Sequence, residues 1–158
     1  KKDSIFSLDK ALKYYLILRG GYNQSKVIDS DLYPFFTATF ELGKSINHYS
    51  TLTGGVEYFN SQFLKTYSKY INIEEGQKYP ENNASRVGII VGHKLTQKHF
   101  SVITKIAFYI YQPVPYESKV YERFGFHYKL SKHLFAELSM KVNLFRAEAL
   151  EFGLGYTF

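Results

Sequence analysis

One short motif in this 158-residue chain places a nucleophile beside a base: His99-Phe100-Ser101. On an extended strand, residues two apart share a face. The imidazole of His99 would then come within reach of the Ser101 hydroxyl and could act as its general base in nucleophilic catalysis. His99 and Ser101 are the catalytic candidates, and two features weigh on them. No acidic residue lies close in sequence to orient His99 as a triad requires, and the pair shares its face with Lys105. The other histidines carry less chemistry. His93 is expected at an outward boundary position, His127 on an inner face with Arg123 and Lys129, and His48 and His133 beside exposed turns. No His/Asp/Glu spacing suggests a metal centre, so neither metal nor cofactor is expected. The absence of cysteine excludes disulfides and thiolate sites.

The elements that would hold these residues are strands. Helical periodicity is almost absent, while apolar and polar residues alternate nearly throughout. Leu134, Ala136, Leu138, Met140, Val142 and Leu144 alternate with Phe135, Glu137, Ser139, Lys141 and Asn143. The same alternation sets Leu12, Tyr14, Leu16 and Leu18 against Lys13 and Arg19, and Phe36, Ala38, Phe40 and Leu42 against Thr37, Thr39 and Glu41. It recurs in Leu52, Val56 and Tyr58 against Thr51, Thr53 and Glu57, and in Val87, Ile89, Val91 and Leu95 against Arg86, Gly88, Gly92 and Lys94. A fifth strand runs from His99 to about Tyr111. A sixth opposes Val120, Phe124 and Phe126 to Arg123, His127 and Lys129, and the eighth ends the chain. Gly54-Gly55 reads as a strand bend.

Short polar turns at Gly43–Asn47, Thr96–Lys98 and Ser131–Lys132 alternate with longer links at Gln24–Asp31, Ser61–Ser85 and Gln112–Ser118. A short link near Arg146–Ala147 departs from that alternation. The pattern predicts one domain over residues 1–158: an all-β, eight-stranded, antiparallel, up-and-down transmembrane β-barrel with both strand termini on the periplasmic side. A soluble eight-stranded barrel with an apolar interior is the alternative. It would bury Arg19, Glu57, Arg123, Glu137, Lys141 and Glu151 in a dry core, at several kcal/mol of desolvation per ion. Charges of both signs on the inner faces are instead expected to pair into a plug, because an eight-stranded barrel is too narrow for a channel.

Composition agrees with this reading. The chain carries 15 Tyr, 14 Phe and no Trp, and aromatics suit half-buried strands and membrane boundaries. A net charge of +6 suits an anionic lipid surface, and the basic residues form no nucleic-acid-binding cluster. A mean hydropathy of −0.25 suits a barrel, in which only alternate residues meet lipid. No apolar run reaches the ~18 residues of a spanning helix. Lys1 opens in polar sequence, so an export signal would have been cleaved or would lie upstream.

The last strand reads Glu151-Phe152-Gly153-Leu154-Gly155-Tyr156-Thr157-Phe158. It resembles the C-terminal signal read by the outer-membrane insertion machinery, with Glu151, Gly153, Tyr156 and Phe158 in its polar, glycine and aromatic places. The runs Val87–Leu95, Ile106–Pro113, Val120–Gly125 and Leu138 to the end resemble the later strands of lipid A deacylase-like barrels, the acyloxyacyl hydrolase-type proteins of Bacteroidetes. The likeness extends over roughly Tyr14 to Phe158.

That resemblance implies an outer-membrane protein whose partners are membrane lipid, lipopolysaccharide and the insertion machinery. It also implies a His-x-Ser-Asn motif with an acidic partner, in which Ser attacks an acyl ester of lipid A. His99-Phe100-Ser101 lacks the Asn, faces inward, and lies near the periplasmic rim, whereas lipid A is reached from outside in the outer leaflet. Two functions stay open. One is a lipid A acyl-ester hydrolase, using His99 and Ser101 or groups upstream of Lys1. The other is a non-catalytic structural or docking barrel that meets a protein partner through the Ser61–Ser85 loop.

Overall fold

The structure, a computed structural model, describes residues 11–23, 31–76, 78–143 and 146–158, without the side chains of 146–148. The expected Gln24–Asp31 link therefore lies mostly outside the described residues, as does Leu144. The strands are β1 (Leu12–Asn23), β2 (Tyr33–Ser45), β3 (Ser50–Ser61), β4 (Ser85–Gln97), β5 (Phe100–Tyr111), β6 (Val120–Lys129), β7 (Leu134–Asn143) and β8 (Arg146–Thr157). Each pairs antiparallel with the next, and β8 returns to β1 through Arg19↔Gly153 and its neighbours, so the sheet closes into a barrel. Closure leaves no strand edge unpaired.

The alternation decides what goes inside. Leu16, Phe40, Ile106, Phe126, Leu138 and Leu154 all point outward and are 40–55% exposed. Arg19, Glu41, Glu57, Lys105, Arg123 and Glu151 are buried in the interior. A barrel with an apolar interior is thereby excluded. The interior is nevertheless not wholly polar. Tyr15, Ile17 and Phe135 cluster toward one end, and Ile90, Ala107, Tyr109 and Tyr121, with Phe35, Phe59 and Ala149, fill the other.

Two glycines admit close approaches that a side chain would block. A Cβ on Gly55 would run into the Phe40 carbonyl of the neighbouring strand, and one on Gly155 would enter the Phe135 ring. The strand bend expected at Gly54-Gly55 is thus a close backbone contact within an unbroken register, Gly55↔Glu41.

Several expected boundaries shift. Gly43 to Ser45 extend β2, and Thr96 and Gln97 extend β4, so the short turns occupy 46–49, 98–99 and 130–133. The 98–99 turn is tight enough to place Lys98 at a φ of 56°, in the left-handed region. Arg146 and Ala147 belong to β8, and the last link lies at 144–145, outside the described residues.

The larger correction concerns the long link after β3, which contains the helix α1 (Phe63–Glu74). Phe63, Leu64 and Ile71 form its buried face, spaced as one side of a helix. Tyr33 and Tyr116 take up the Phe63 ring at 6.0 and 4.8 Å between centroids. Asn72 ties the helix end to the returning chain through both the N–H and the C=O of Tyr79.

Candidate functional site

Mid-barrel, the inward charges form one connected network. The Arg19 guanidinium donates from Nε and Nη2 to the Glu137 carboxylate (2.5 and 3.2 Å), and from Nη1 to Thr39 and Glu57 (2.5 and 3.2 Å). Arg123 takes Glu57 on one side (2.6 and 3.0 Å) and Glu151 on the other (2.6 and 3.0 Å). Tyr121 and Thr39 hydroxyls complete Glu57, Ser139 completes Glu151, and His127 completes Glu137. Every carboxylate here accepts from a guanidinium and from at least one further donor, which is what makes charge burial tolerable. Toward the long-link end, Glu117 dips inward to meet Arg86 and Lys141. Toward the other end, Lys105 and Glu41 form a separate pair at 2.5 Å. These pairs fill the mid-barrel interior and tie strands together across it.

Beyond the Lys105–Glu41 pair, the short-turn end opens into a cavity of about 250 Å³. His99 and Ser101 both line it. Ser101 is a buried residue of β5, but its hydroxyl pairs with Thr96 at 2.9 Å. His99 precedes the strand, in the exposed turn, where its carbonyl accepts from the Lys129 amide. Both thus reach the same cavity, but among the described residues the Ser101 hydroxyl is hydrogen-bonded to Thr96 and not to the His99 imidazole. Lys94, Lys98, Lys129 and Lys132 line the same cavity, and among its described lining residues there is no Asp or Glu. His127 reaches it from the inner face, and His48 and His133 from the exposed turns.

A serine–histidine pair does form elsewhere. Ser50 Oγ, at the start of β3, hydrogen-bonds His93 Nε2 of β4 on the outer surface of the barrel. The two stand 43 positions apart, and only the β3–β4 register, Ser50↔Leu95 and Leu52↔His93, makes them neighbours. No spacing motif could have found them.

The residues that match the C-terminal signal divide between the two faces. Glu151 holds Arg123 inside, and a side chain at Gly153, opposite Arg19, would press on the Arg19 stem. Tyr156 and Phe158 point outward, edge to face at 5.0 Å, with the His133 ring stacked on Tyr156.

Fold and interior together define a closed, eight-stranded, up-and-down barrel with paired charges inside and an apolar belt outside. The chain belongs to the family described as acyloxyacyl hydrolase, C-terminal domain, whose model matches residues 12–158. No curated protein matches the chain. Among solved structures it is similar to one described as de novo design of transmembrane beta-barrels (TM-score 0.53, 12% identity, covering 94% of this chain and 96% of that one). It is also similar to the solution NMR structure of the de novo designed TMB2.3 (TM-score 0.51, 14% identity, covering 94% and 95%). At such identity the likeness shows the fold alone.

Proposed function

We propose that this chain is an outer-membrane β-barrel, embedded by its apolar belt, and that His99 and Ser101 do not make it a lipid A deacylase. The observation that carries the reading is the facing of the strands. Residues such as Leu16, Phe40, Ile106 and Leu138 are exposed around the whole circumference, while the charges are inside. In water such a belt would be an aggregation surface; in a bilayer it is the required one. By the pattern of such barrels, the short turns face the periplasm and the link that carries α1 faces outward. His99 and Ser101 then lie at the periplasmic mouth of the lumen, away from lipid A, and Ser101 is engaged with Thr96. The role left to the barrel is structural or docking, with α1 and its link as the outward surface.

A second reading has a specific observation behind it. Family membership supports acyl-ester hydrolysis, and Ser50–His93 is a nucleophile already hydrogen-bonded to a base on the lipid-facing side. Among the described residues no carboxylate is seen to orient His93. At the short-turn end the pair would meet lipid of the inner leaflet rather than lipid A.

One experiment separates the readings. The full chain, refolded in detergent, is given lipid A or a diacyl phospholipid, and released fatty acid is measured. The docking reading expects no release from either. Release from the phospholipid that is lost in Ser50→Ala establishes the second reading. Release from lipid A that is lost in Ser101→Ala overturns the inward assignment. Recovery of the protein from the inner membrane or the soluble fraction of cells would overturn membrane embedding in the outer membrane.

A further inference from the structure

We propose that the short-turn mouth of the barrel is a binding site for a soluble phosphate group, free or as a phosphomonoester. The site goes beyond the functional reading above and is independent of it, because the cavity and its charges define it alone.

The cavity of about 250 Å³ far exceeds the ~10–15 Å³ that one water needs. It is a dead end rather than a channel. Behind Tyr15 and Lys94 the lumen narrows to a gap of about 10 Å³, floored by Glu41 and Lys105, which are paired with each other. Among the described residues the cavity opens on the short-turn side.

The lining is cationic by convergence. Lys94 rises from β4 and Lys129 from the end of β6, while Lys98 and Lys132 come from two different turns. Among the described residues none of these four forms an ion pair. Glu41 is taken by Lys105, Glu137 by Arg19, Glu57 and Glu151 by Arg123, and Glu117 by Arg86 and Lys141. Among the described residues the Lys94 ammonium meets the Tyr15 hydroxyl, at 3.0 Å, and the face of the same ring. Ser101 and Thr51 hydroxyls and the His99 imidazole add further hydrogen-bonding groups to the wall.

Several ammonium groups gathered around one concave space repel each other, and that repulsion is relieved most by a compact anion of more than one charge. A phosphate carries about −1.5 to −2 at neutral pH and three or more acceptor oxygens, which suits the freely rotating donors of lysine. A single carboxylate would satisfy one lysine and leave the others. Like charges that line one concave space reinforce each other's field inside it.

The test is calorimetric titration of inorganic phosphate into the full chain, folded in maltoside micelles that contain no phosphate. The expected result is saturable one-site binding that added salt weakens. Lys94→Met and, at the exposed rim, Lys129→Gln should each weaken it about tenfold, the loss of one charge-assisted hydrogen bond, while Lys94→Arg should retain it. Heat-modifiable migration confirms that each variant is folded, and the rim variant keeps the test open if Lys94→Met is not. The absence of saturable binding, or affinities unchanged in both variants, overturns the proposal. So does displacement of phosphate by a few per cent of phosphatidylglycerol in the micelle, which would assign the site to lipid headgroups. Tight binding of polyglutamate without binding of phosphate would assign it to an anionic polymer.

Discussion

Inside the barrel, Arg123 and Glu151 meet through two parallel hydrogen bonds, Nε to Oε2 at 2.6 Å and Nη2 to Oε1 at 3.0 Å. The two residues belong to β6 and β8, which are not neighbours in the sheet, so the pair spans the intervening β7 across the inner surface. The outer side of the same guanidinium is held by Glu57 of β3, and Glu57 also accepts from Arg19 of β1. With Glu137 of β7 held by Arg19, five strands are thus tied through two arginines and their carboxylates, independently of the backbone ladder. The planar fork of arginine makes this possible, since it can serve two carboxylates at once in fixed geometry.

Glu57→Gln should be among the most damaging interior substitutions. It removes the charge that faces both Arg19 and Arg123 and leaves two buried guanidiniums underpaired. Breaking a buried pair this way costs about 3–5 kcal/mol. Urea unfolding in detergent, followed by the loss of heat-modifiable migration, should show a loss of that order. A loss no larger than that of an exposed control such as Glu81→Gln would mean that the network is not held as described.

Leu138→Arg should be costly for a different reason. Leu138 is on β7 with its side chain outward, 40% exposed. A charge at mid-bilayer on the lipid face of a barrel costs about 2–4 kcal/mol. Leu138→Phe, which keeps the face apolar, should be nearly neutral. Refolding yields into liposomes distinguish the two, and equal yields would argue against a lipid-facing position.

Gly155→Val should destabilise the barrel through one identifiable neighbour, because the added side chain would occupy the space of the Phe135 ring. Overpacking of this kind costs about 1–3 kcal/mol. Combining it with Phe135→Ala should restore part of the loss, and chemical denaturation of the single and double variants measures the coupling. Strict additivity would show that the contact is not the cause.

Deletion of Phe158 should spare stability and impair assembly. Its ring is 63% exposed, and its amide donates to the Tyr14 carbonyl at 3.0 Å, so folding in detergent should lose only about 1 kcal/mol. If the terminal strand is the insertion signal it resembles, protein in the outer membrane of cells should fall several-fold while refolding in vitro survives. Normal membrane levels would leave Glu151, Gly153, Tyr156 and Phe158 with only the interior and rim contacts seen here.

The sequence by itself determined which face of each strand turns inward, because alternation is a property of successive residues and needs no partner. Leu134 to Met140 already separate Leu138 from Glu137 and Ser139, and the excess of inward charge already ruled against a dry core. It also determined the number and order of the strands, since short polar turns alternate with long links. The tertiary structure alone decided who meets whom. Arg19 reaches Glu137 across 118 positions, Ser50 reaches His93 across 43, and the basic mouth gathers Lys94 and Lys98 from one hairpin and Lys129 and Lys132 from another. These relations depend on strand register and on the closure of β8 against β1, which no local pattern encodes. The helix α1 was missed because it is a single amphipathic stretch inside a long link, with an apolar face completed by Tyr33 and Tyr116 from elsewhere in the chain. The spacing of His99 and Ser101 brings both to one cavity, but only the β4–β5 pairing decides that the Ser101 hydroxyl meets Thr96 instead of the imidazole.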